Sequence, residues 1–332
     1  MKRRALLSTL AVGLAGCAST LPGSSTESQT TTSPPTSHTD THTTTHPTTG
    51  DQTTALEPAD IGVPASETDC PVHGEENTSR VVCWPAMADS PLVLSASGDS
   101  LSLPTGDLAF TLRNDTETTF TTNFYDWRVR KRVDGEWYSV APRRIPVPAM
   151  MVDPAQSHTW TLTVDNADTS ALAFTEGTAD VTVGGLGGGE YAFTAGGWFE
   201  STDHEHQTAL AARFSIEGPA VELEPSEKVT GTTRDGDVVT VDRDLESGYN
   251  GRTCEYRVTR VESAADPYEF ITEQVLRMRN LRDALAFFES GVETVRFVEE
   301  NGAYPPFGID EARHVAYDGQ TYEITSEELE SE

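Results

Sequence analysis

The residues best suited to bind a metal ion are two histidines in the tetrapeptide Asp203-His204-Glu205-His206. In a β-strand His204 and His206 would point to the same face, because side chains alternate along a strand, and they could share one ion. A tight site needs three or four ligands held by surrounding hydrogen bonds, and the sequence offers no third ligand to name. A solvated loop therefore explains the tetrapeptide better, and we predict no metal and no cofactor.

The glycine-rich segment 184–189 is the other candidate for small-molecule chemistry. It follows one predicted strand but leads into another, so it offers no helix N-terminus to a phosphate and does not fit the dinucleotide-binding pattern. The chain also lacks the Gly-x-Ser-x-Gly, His-Glu-x-x-His and phosphate-loop motifs. The sequence thus predicts no catalytic residue and favours a binding role over an enzymatic one.

The first 17 residues have the pattern of an export signal that ends in a lipid anchor. Basic residues, including the adjacent Arg3 and Arg4, precede an apolar stretch that is too short to cross a ~30 Å hydrocarbon core. The arginine pair resembles a twin-arginine (Tat) signal, and Leu14-Ala15-Gly16-Cys17 resembles a lipobox. This resemblance implies that residues 1–16 form a signal peptide, that Cys17 carries lipid, and that the chain is held at the extracellular face of the cell membrane.

Residues 17–59 are predicted to form a disordered stalk. Within 19–54, 21 of 36 positions are Ser or Thr, with prolines scattered among them. So little apolar content cannot offset the entropy cost of ordering the chain. Ser/Thr-rich segments with proline are typical of O-glycosylated stalks, so we expect the folded part to be lifted away from the lipid.

Once Cys17 is assigned to the anchor, three cysteines remain, and any two of them could pair. Disulfides persist outside the cell. We favour Cys70–Cys83, within a lead-in segment over 60–90, because Trp84 and the adjacent apolar strand give that bridge something to brace. The short loop it closes would stabilise the fold by about 3 kcal/mol. A bond from Cys254 to either partner would instead join two domains.

Residues 91–217 alternate short β-rich runs with turn signals, and no long helical pattern interrupts them. A hairpin turn is predicted at Asp134-Gly135, between two of the runs. About seven short strands with frequent turns favour a two-sheet sandwich of immunoglobulin type. The predicted strands are 92–94, 109–112, 127–130, 137–140, 160–164, 191–193 and 212–216.

The same region resembles a bacterial immunoglobulin-like domain found in surface lipoproteins. The resemblance is carried by 133–137 (Val-Asp-Gly-Glu-Trp), by 152–155 (Val-Asp-Pro-Ala) ahead of a strand, and by 189–191 (Gly-Glu-Tyr). It covers about 125 residues. It implies a fold and no catalytic residues, because that fold serves many unrelated functions.

Residues 221–332 are predicted to form a small α+β domain with one long helix. Asp266 would be the N-cap, Pro267 would take the first helical position and Glu269 would complete a capping box. Apolar residues then recur every three or four positions from 271 to 288, and Gly291 would end the helix. The predicted strands are 238–241, 256–261, 294–298 and a hairpin over 315–324 that turns at Asp318-Gly319.

The charge of the chain is extreme. Acidic residues outnumber basic ones 53 to 23, a net charge of −30, and only three of the basic residues are lysine. A carboxylate-covered surface almost without lysine resembles the secreted proteins of extremely halophilic archaea; an acidic surface protein of a mesophile is the alternative. Either way nucleic acid is excluded as a partner, because binding a phosphate backbone needs a basic surface.

Two tripeptides, starting at Asn77 and Asn114, match the N-glycosylation sequon, which is credible in an exported chain. With the anchor, stalk and sandwich, they predict a cell-surface glycoprotein that binds another envelope component, protein or glycan, or helps to organise the cell surface. The alternative is a surface-anchored hydrolase with its site in the α+β domain or at the domain junction. Convergent buried polar groups in one deep pocket would favour the hydrolase, whereas an aromatic-bearing sheet face would favour binding.

Overall fold

A computed structural model of the chain describes residues 61–329, except 67–68, 75–77, 85, 143–144, 168–171, 173–176, 203, 205, 245–252 and 301–311. All of these residues fall within one compact unit of the chain. The predicted signal peptide, with Arg3 and Arg4, the lipidation site Cys17 and the stalk lie outside the described residues.

The described part of the chain is mainly β, as predicted. Its helical segments are a 3-10 turn at Ala86–Asp89 and two short helices, α1 (Thr272–Val275) and α2 (Arg279–Leu285). The strands are β1 (Thr78–Val82), β2 (Leu92–Ala96), β3 (Ser100–Ser102), β4 (Thr105–Asn114), β5 (Phe120–Val133), β6 (Glu136–Ala141), β7 (Met150–Val152), β8 (Gln156–Asp165), β9 (Asp180–Val183), β10 (Gly189–Phe199), β11 (Gln207–Glu217), β12 (Val229–Asp235), β13 (Val238–Arg243), β14 (Thr253–Val261), β15 (Tyr268–Glu269), β16 (Thr294–Glu300), β17 (Arg313–Tyr317) and β18 (Gln320–Leu329).

These strands form three sheets. The first has the order β1-β11-β10-β5-β6, with β3 beside β11 and β7 beside β5, and the second has the order β2-β4-β8-β9. The third, from the C-terminal part of the chain, has the order β12-β13-β16-β14-β18-β17-β15. Each of the seven strands predicted between 91 and 217 lies within an observed strand of the first two sheets.

The first and second sheets pack face to face around one aromatic core. Phe110 of β4 stacks on Phe193 of β10 with ring centroids 4.3 Å apart, and Trp160 of β8 lies 5.6 Å from the same ring. These rings and Trp127 are fully buried. Aromatic side chains remove large apolar areas from water and dominate the energetics of such cores. The arrangement is consistent with the predicted β-sandwich.

Two-residue turns set the register of the hairpins in both parts of the chain. Asp134 and Gly135 join β5 to β6 with φ of 51° and 96°, and Asp318 and Gly319 join β17 to β18 with φ of 49° and 69°. Positive φ at both central residues matches the right-handed twist of the flanking strands. Both hairpins predicted from Asp-Gly pairs are confirmed.

The third sheet carries both helices on one face, over a core of its own. A fully buried ion pair joins the layers: Arg243 Nε of β13 lies 3.1 Å from Asp283 Oδ2 of α2. The backbone N–H and the hydroxyl of Ser226 also donate to the Asp283 carboxylate, at 2.7 and 2.9 Å. These partners offset the desolvation of the two charges, which an isolated pair could not do.

The prediction of one long helix from Asp266 to Gly291 is wrong. Asp266 has a φ of 46°, and the two residues of β15 pair with β17 instead of opening a helix. The helical run also breaks between α1 and α2, where Met278 has φ −104° and ψ 82°. Gly291 has the predicted positive φ, 76°, but it lies six residues beyond the end of α2.

The break has a local cause at Arg277. In a continuous helix the carbonyl of Glu273 would accept the backbone N–H of Arg277. Here it accepts the Arg277 guanidinium at 2.5 Å, and the Arg277 N–H turns to Gln274 O at 3.1 Å. The same guanidinium donates to the carbonyls of Gly184 and Gly185, in the part of the chain that forms the first and second sheets. A tertiary contact has therefore replaced the helical hydrogen bond that the apolar periodicity predicts.

Candidate functional site

The outer face of the first sheet, away from the aromatic core, carries an unusual row of charged residues. Along β5, Trp127 and Val129 are buried in the core. Since side chains alternate along a strand, Asp126, Arg128 and Arg130 occupy the opposite face. The cross-strand partner of Arg128 is Thr194 of β10, and that of Arg130 is Ser139 of β6.

The loop closed by the Cys70–Cys83 disulfide brings a histidine onto this face. The bridge is present as predicted, with Cα atoms 6.2 Å apart. His73 lies within the loop, and its Nδ1 is 2.9 Å from Thr194 Oγ1. A Cβ added at Gly196 would lie 2.5 Å from the imidazole ring, so only glycine leaves room for His73. The disulfide loop thus completes the surface that β5 begins.

The imidazole completes a chain of polar contacts. His73 Nε2 lies 3.2 Å from Asp126 Oδ1, and Arg128 Nε lies 3.4 Å from the same oxygen. Burial lowers the pKa of His73, and this outweighs the opposing effect of Asp126. Burial alone would raise the pKa of Asp126, but the His73 hydrogen bond and the Arg128 charge lower it overall. At neutral pH the site therefore holds a neutral imidazole beside an ionised carboxylate.

The contacts resemble those of a hydroxyl–imidazole–carboxylate triad, formed here by Thr194, His73 and Asp126. Their exposure to solvent is the reverse of what catalysis requires. In a hydrolase the hydroxyl must face the substrate and the carboxylate must lie behind the imidazole. Here Thr194 is fully buried, whereas the Asp126 side chain is 29% exposed. The hydroxyl cannot reach a substrate, so the three groups hold His73 in place.

Beside these residues lies an open cleft of about 610 Å³, a volume typical of small-molecule sites. We call it the arginine cleft. Strands β5 and β6, the disulfide loop, the start of β11 and helix α1 contribute its lining: His73, Gly74, Asp126, Arg128, Arg130, Trp137, Tyr138, Ser139, Gln207 and Gln274.

The arginine cleft has the opposite charge to the chain as a whole. Its lining carries two arginines and one aspartate, in a chain of net charge −30. The Arg128 side chain is 28% exposed. Its Nε is buried and, among the described residues, has no acceptor with hydrogen-bonding geometry, although Asp126 Oδ1 lies 3.4 Å away. Such a donor is costly unless a partner satisfies it.

Helix α1 closes one side of the cleft because a buried ion pair holds it against the first sheet. Lys131 Nζ of β5 is 2.5 Å from Glu273 Oε1 of α1, with side chains 12% and 3% exposed. The Glu273 carboxylate also accepts the Gly187 N–H at 3.2 Å, and Gln274 Nε2 donates to Ser139 O at 3.0 Å. We call this helix contact the junction. Its ion pair borders a second cavity of about 450 Å³, which is lined by Lys131, Glu273 and Tyr138, and Tyr138 also lines the arginine cleft.

The glycine-rich segment 184–189 belongs to this junction and binds α1 through its backbone. A Cβ added at Gly187 would lie 2.6 Å from Val221 N, and one added at Gly188 would lie 2.2 Å from Gly218 O. Larger residues at these two positions would therefore push the glycine-rich segment away from the backbone of Gly218 and Val221. Close backbone approach, which glycine alone permits, explains why the segment is rich in glycine.

The structure contradicts N-glycosylation of Asn114 in the folded protein. The Asn114 side chain is fully buried, and its Nδ2 donates to Thr118 O at 2.9 Å and Val152 O at 2.8 Å. Its Oδ1 accepts the hydroxyl of Thr116, the third residue of the sequon, at 2.6 Å. The tripeptide is a structural turn at the end of β4. Asn77 lies outside the described residues.

The two histidines considered as metal ligands lie just before β11. His204 is exposed and His206 partly exposed, and their neighbours 203 and 205 lie outside the described residues. Across the part of the chain that the structure describes, no three or more His, Cys, Asp or Glu side chains are placed to hold one metal ion. Cys254 is buried in strand β14 of the third sheet, and it takes no part in the Cys70–Cys83 bridge.

Sequence reasoning missed the arginine cleft, although one signal was available. Residues 128–132 read Arg-Val-Arg-Lys-Arg, four basic residues in five positions, in a chain with only 23 in 332. Because side chains alternate along a strand, the sequence places Lys131 on the face opposite to the arginines of this run. Lys131 enters the junction, and the arginines lie on the outer face. No local signal connects this run to His73 or to Gln274, because the fold alone brings them together.

Comparison with known proteins gives no family for this chain: no family model matches it, and no curated protein is similar to it. Of the helices in the described ranges, none is long and apolar enough to span a membrane.

The environment of His73 predicts a pH dependence of stability. Because the folded-state pKa lies below the ordinary 6.5, the unfolded chain binds the proton more readily, and the free energy of unfolding should fall as pH drops below about 6.5. Urea unfolding at pH 7.5 and 5.5 in molar salt measures this. His73→Gln should reduce the difference, with part remaining because burial also lowers the pKa of His158. An unchanged pH difference in the variant would contradict the assignment.

Proposed function

We propose that this chain is a lipid-anchored protein of the outer cell surface, salt-adapted and without enzymatic activity, that binds an envelope component through the arginine cleft. The leader and the Cys17 motif support the anchor, and the Ser/Thr-rich segment supports a stalk that presents the folded part. Two packed sheets support an immunoglobulin-type sandwich. Helices on one face of the third sheet support the α+β assignment of 221–332.

One observation carries the binding role: an open cleft with arginines in its lining, on a chain that is otherwise strongly acidic. The Arg128 Nε is buried and has no acceptor in hydrogen-bonding geometry among the described residues, although Asp126 Oδ1 lies 3.4 Å away, and such a donor is costly unless a partner satisfies it. The chain uses few basic residues, so their concentration at one cleft favours recognition of a negatively charged group.

The alternative, a hydrolase at the domain junction, is less well supported. The hydroxyl nearest to an imidazole, Thr194, is buried. At the junction the Glu273 carboxylate is bound by Lys131 and by the Gly187 N–H, which leaves it a poor general base. Trp137 and Tyr138 in the cleft lining are the aromatic sheet residues that favour binding.

The anchor is tested by replacing Cys17. Cys17→Ser should move the protein from the membrane fraction to the medium, or leave it unprocessed, because a serine cannot carry the thioether-linked lipid. Cell fractionation with an intact-mass measurement distinguishes these outcomes. If the variant stayed in the membrane with a mature N-terminus, the anchor assignment would be wrong.

The binding role is tested with envelope fragments from cells that lack this protein. The detergent-purified full chain should sediment with the fragments in a saturable way, and Arg128→Gln should weaken this about tenfold. Arg113→Gln is the matched control, because Arg113 lies on the second sheet with its side chain 57% exposed. Equal binding by all three proteins would overturn the proposed role of the cleft.

A further inference from the structure

The loop that leads into β7 exposes its apolar side chains to water. Val147 is 91% exposed and Met151 is 65% exposed, the two highest values among the large apolar side chains of the described residues. Pro148 and Ala149, between them, are also exposed. We call residues 145–151 (Ile-Pro-Val-Pro-Ala-Met-Met) the apolar loop. Fully burying one valine or methionine side chain shifts an equilibrium about tenfold or more, so this exposure favours a partner that covers the loop.

The fold holds the apolar loop away from the core. Near the start of the loop, Asn123 Nδ2 of β5 donates to Pro146 O at 2.5 Å. At its other end, Met151 and Val152 belong to β7, which pairs with the start of β5. Val152 is buried in the core, so the alternation of side chains along the strand turns Met151 outwards. The loop therefore cannot cover Val147 and Met151 without breaking these hydrogen bonds.

The backbone of the apolar loop suits the boundary between water and lipid. Backbone N–H groups without an acceptor oppose insertion into a bilayer. Proline has no N–H, and two of the seven positions, Pro146 and Pro148, are proline. The Pro146 carbonyl is already bonded to Asn123. Few polar groups would therefore lose water if the side chains entered the membrane interface, where inserted apolar groups lie about 5–10 Å deep.

The sequence around the apolar loop lacks the negative charge of the rest of the chain. Acidic residues occupy 53 of the 332 positions, but none occurs between Glu136 and Asp153, and two arginines immediately precede the loop. A membrane surface that contains anionic lipid repels carboxylates and attracts basic residues. In molar salt such charges are screened within about 3 Å, so the apolar side chains would supply most of the affinity for lipid.

The apolar loop lies at the end of the first sheet where the described chain begins. Met150 pairs with Thr122 of β5, and the same level of the sheet continues through β10 and β11 to Arg80 of β1. The Arg80 guanidinium donates to Val63 O at 2.7 Å, close to the point where the predicted stalk joins the fold. A coil as long as that stalk, residues 17–59, spans about 35 Å. The stalk therefore lets the loop reach the membrane surface.

A lipid surface fits the apolar loop better than a protein partner does. Stable protein interfaces bury about 800 Å² on each side, which one projecting loop does not provide, whereas a bilayer accepts a small apolar group at its boundary. The other exposed large apolar side chains of the described residues lie on other elements: Val72, Tyr268, Val298 and Leu329.

We propose that the apolar loop inserts Val147 and Met151 into the surface of the lipid bilayer and so holds the folded part against the membrane. This second contact is independent of the arginine cleft and goes beyond the proposed binding role. It relies on the proposed anchor at Cys17 only to keep the loop close to lipid.

The test attaches an environment-sensitive fluorophore to the full lipidated chain, bound in 2 M NaCl to vesicles of equal parts phosphatidylcholine and phosphatidylglycerol. Val147→Cys carries the label, and Val298→Cys is the matched control, because Val298 is an exposed valine of the third sheet. Lipids brominated high on the acyl chain should quench the label at 147 at least about twofold more than at 298, because only an inserted side chain meets acyl chains. Adding Met151→Asp should reduce this quenching, since a charge resists transfer out of water. The wild-type chain, whose Cys254 is buried, is the labelling blank.

Equal quenching at positions 147 and 298, on a chain that floats with the vesicles, overturns the inference and leaves the anchor. A chain that does not float with the vesicles rejects both the inference and the anchor. A change of fluorescence at 147 that appears without vesicles and grows with protein concentration, with no quenching by brominated lipid, would assign the loop to contact with a second copy of the chain. That result would also overturn the inference.

Discussion

Replacing Glu273 by leucine is expected to lower the free energy of unfolding by about 3–5 kcal/mol, because the change leaves the Lys131 ammonium buried without its partner. The Lys131 side chain is 12% exposed, and its Nζ lies 2.5 Å from Glu273 Oε1. The change also removes the acceptor of the Gly187 N–H. Urea unfolding followed by near-UV circular dichroism measures the loss.

Two further variants distinguish the contribution of the ion pair to the free energy of unfolding from the contribution of the packing of α1. The double variant Lys131→Met with Glu273→Leu should recover most of the stability, since a buried pair replaced by apolar residues of similar size is often neutral. The free energy of unfolding of Glu273→Gln should lie between those of the wild type and Glu273→Leu, because the amide oxygen still accepts the Gly187 N–H. If the double variant were as unstable as Glu273→Leu alone, burial of an unpaired charge could not be the cause.

A steep rise of the melting temperature with salt is the second large effect expected. Loss of Lys2, Arg3 and Arg4 with the leader would leave 20 basic residues against 53 acidic ones, a net charge of −33. At low ionic strength such a charge opposes compaction. The full chain should therefore lose its near-UV circular dichroism in dilute buffer and regain it when NaCl or KCl is added.

The salt effect must be separated from the strengthening of hydrophobic burial by salt. Screening depends on ionic strength and acts mostly below about 0.5 M, where the Debye length has fallen to a few ångströms. Ion exclusion continues to rise at higher concentration and is stronger for sulfate than for chloride. Matched titrations with both salts at equal ionic strength distinguish the two causes. A chain that stays folded with an unchanged melting temperature in dilute buffer would not be salt-adapted.

The strands could be predicted because their signals are local. Asp134-Gly135 and Asp318-Gly319 specify their turns through backbone conformations that few residues adopt. The alternation of core and outer residues around Trp127 follows from the period of a strand. The Cys70–Cys83 bridge is favoured for a similarly local reason, since Trp84 and the adjacent apolar strand give it something to brace.

The helix and the arginine cleft could not be predicted because they depend on contacts between distant residues. The apolar period from 271 to 288 is real, and Val275, Leu281 and Leu285 are buried. The break arises where Arg277 donates to carbonyls of the glycine-rich segment, about 90 residues away in sequence. Likewise, nothing near His73 in the sequence indicates Asp126 or Thr194. The sequon at Asn114 illustrates the opposite case, in which a purely local pattern predicted a glycosylation site. The same pattern also suits a buried turn.

The most direct test of the cleft as the recognition site is arginine footprinting with phenylglyoxal and mass spectrometry, on the full chain with and without envelope fragments. We expect Arg128, 28% exposed in the free chain, to react at least several-fold more slowly when the fragments are bound. Arg113 and Arg257, with side chains 57% and 46% exposed on other sheets, should react at unchanged rates. An unchanged rate at Arg128, with protection at Arg113 or Arg257 instead, would show that recognition does not use the arginine cleft and lies on a different face.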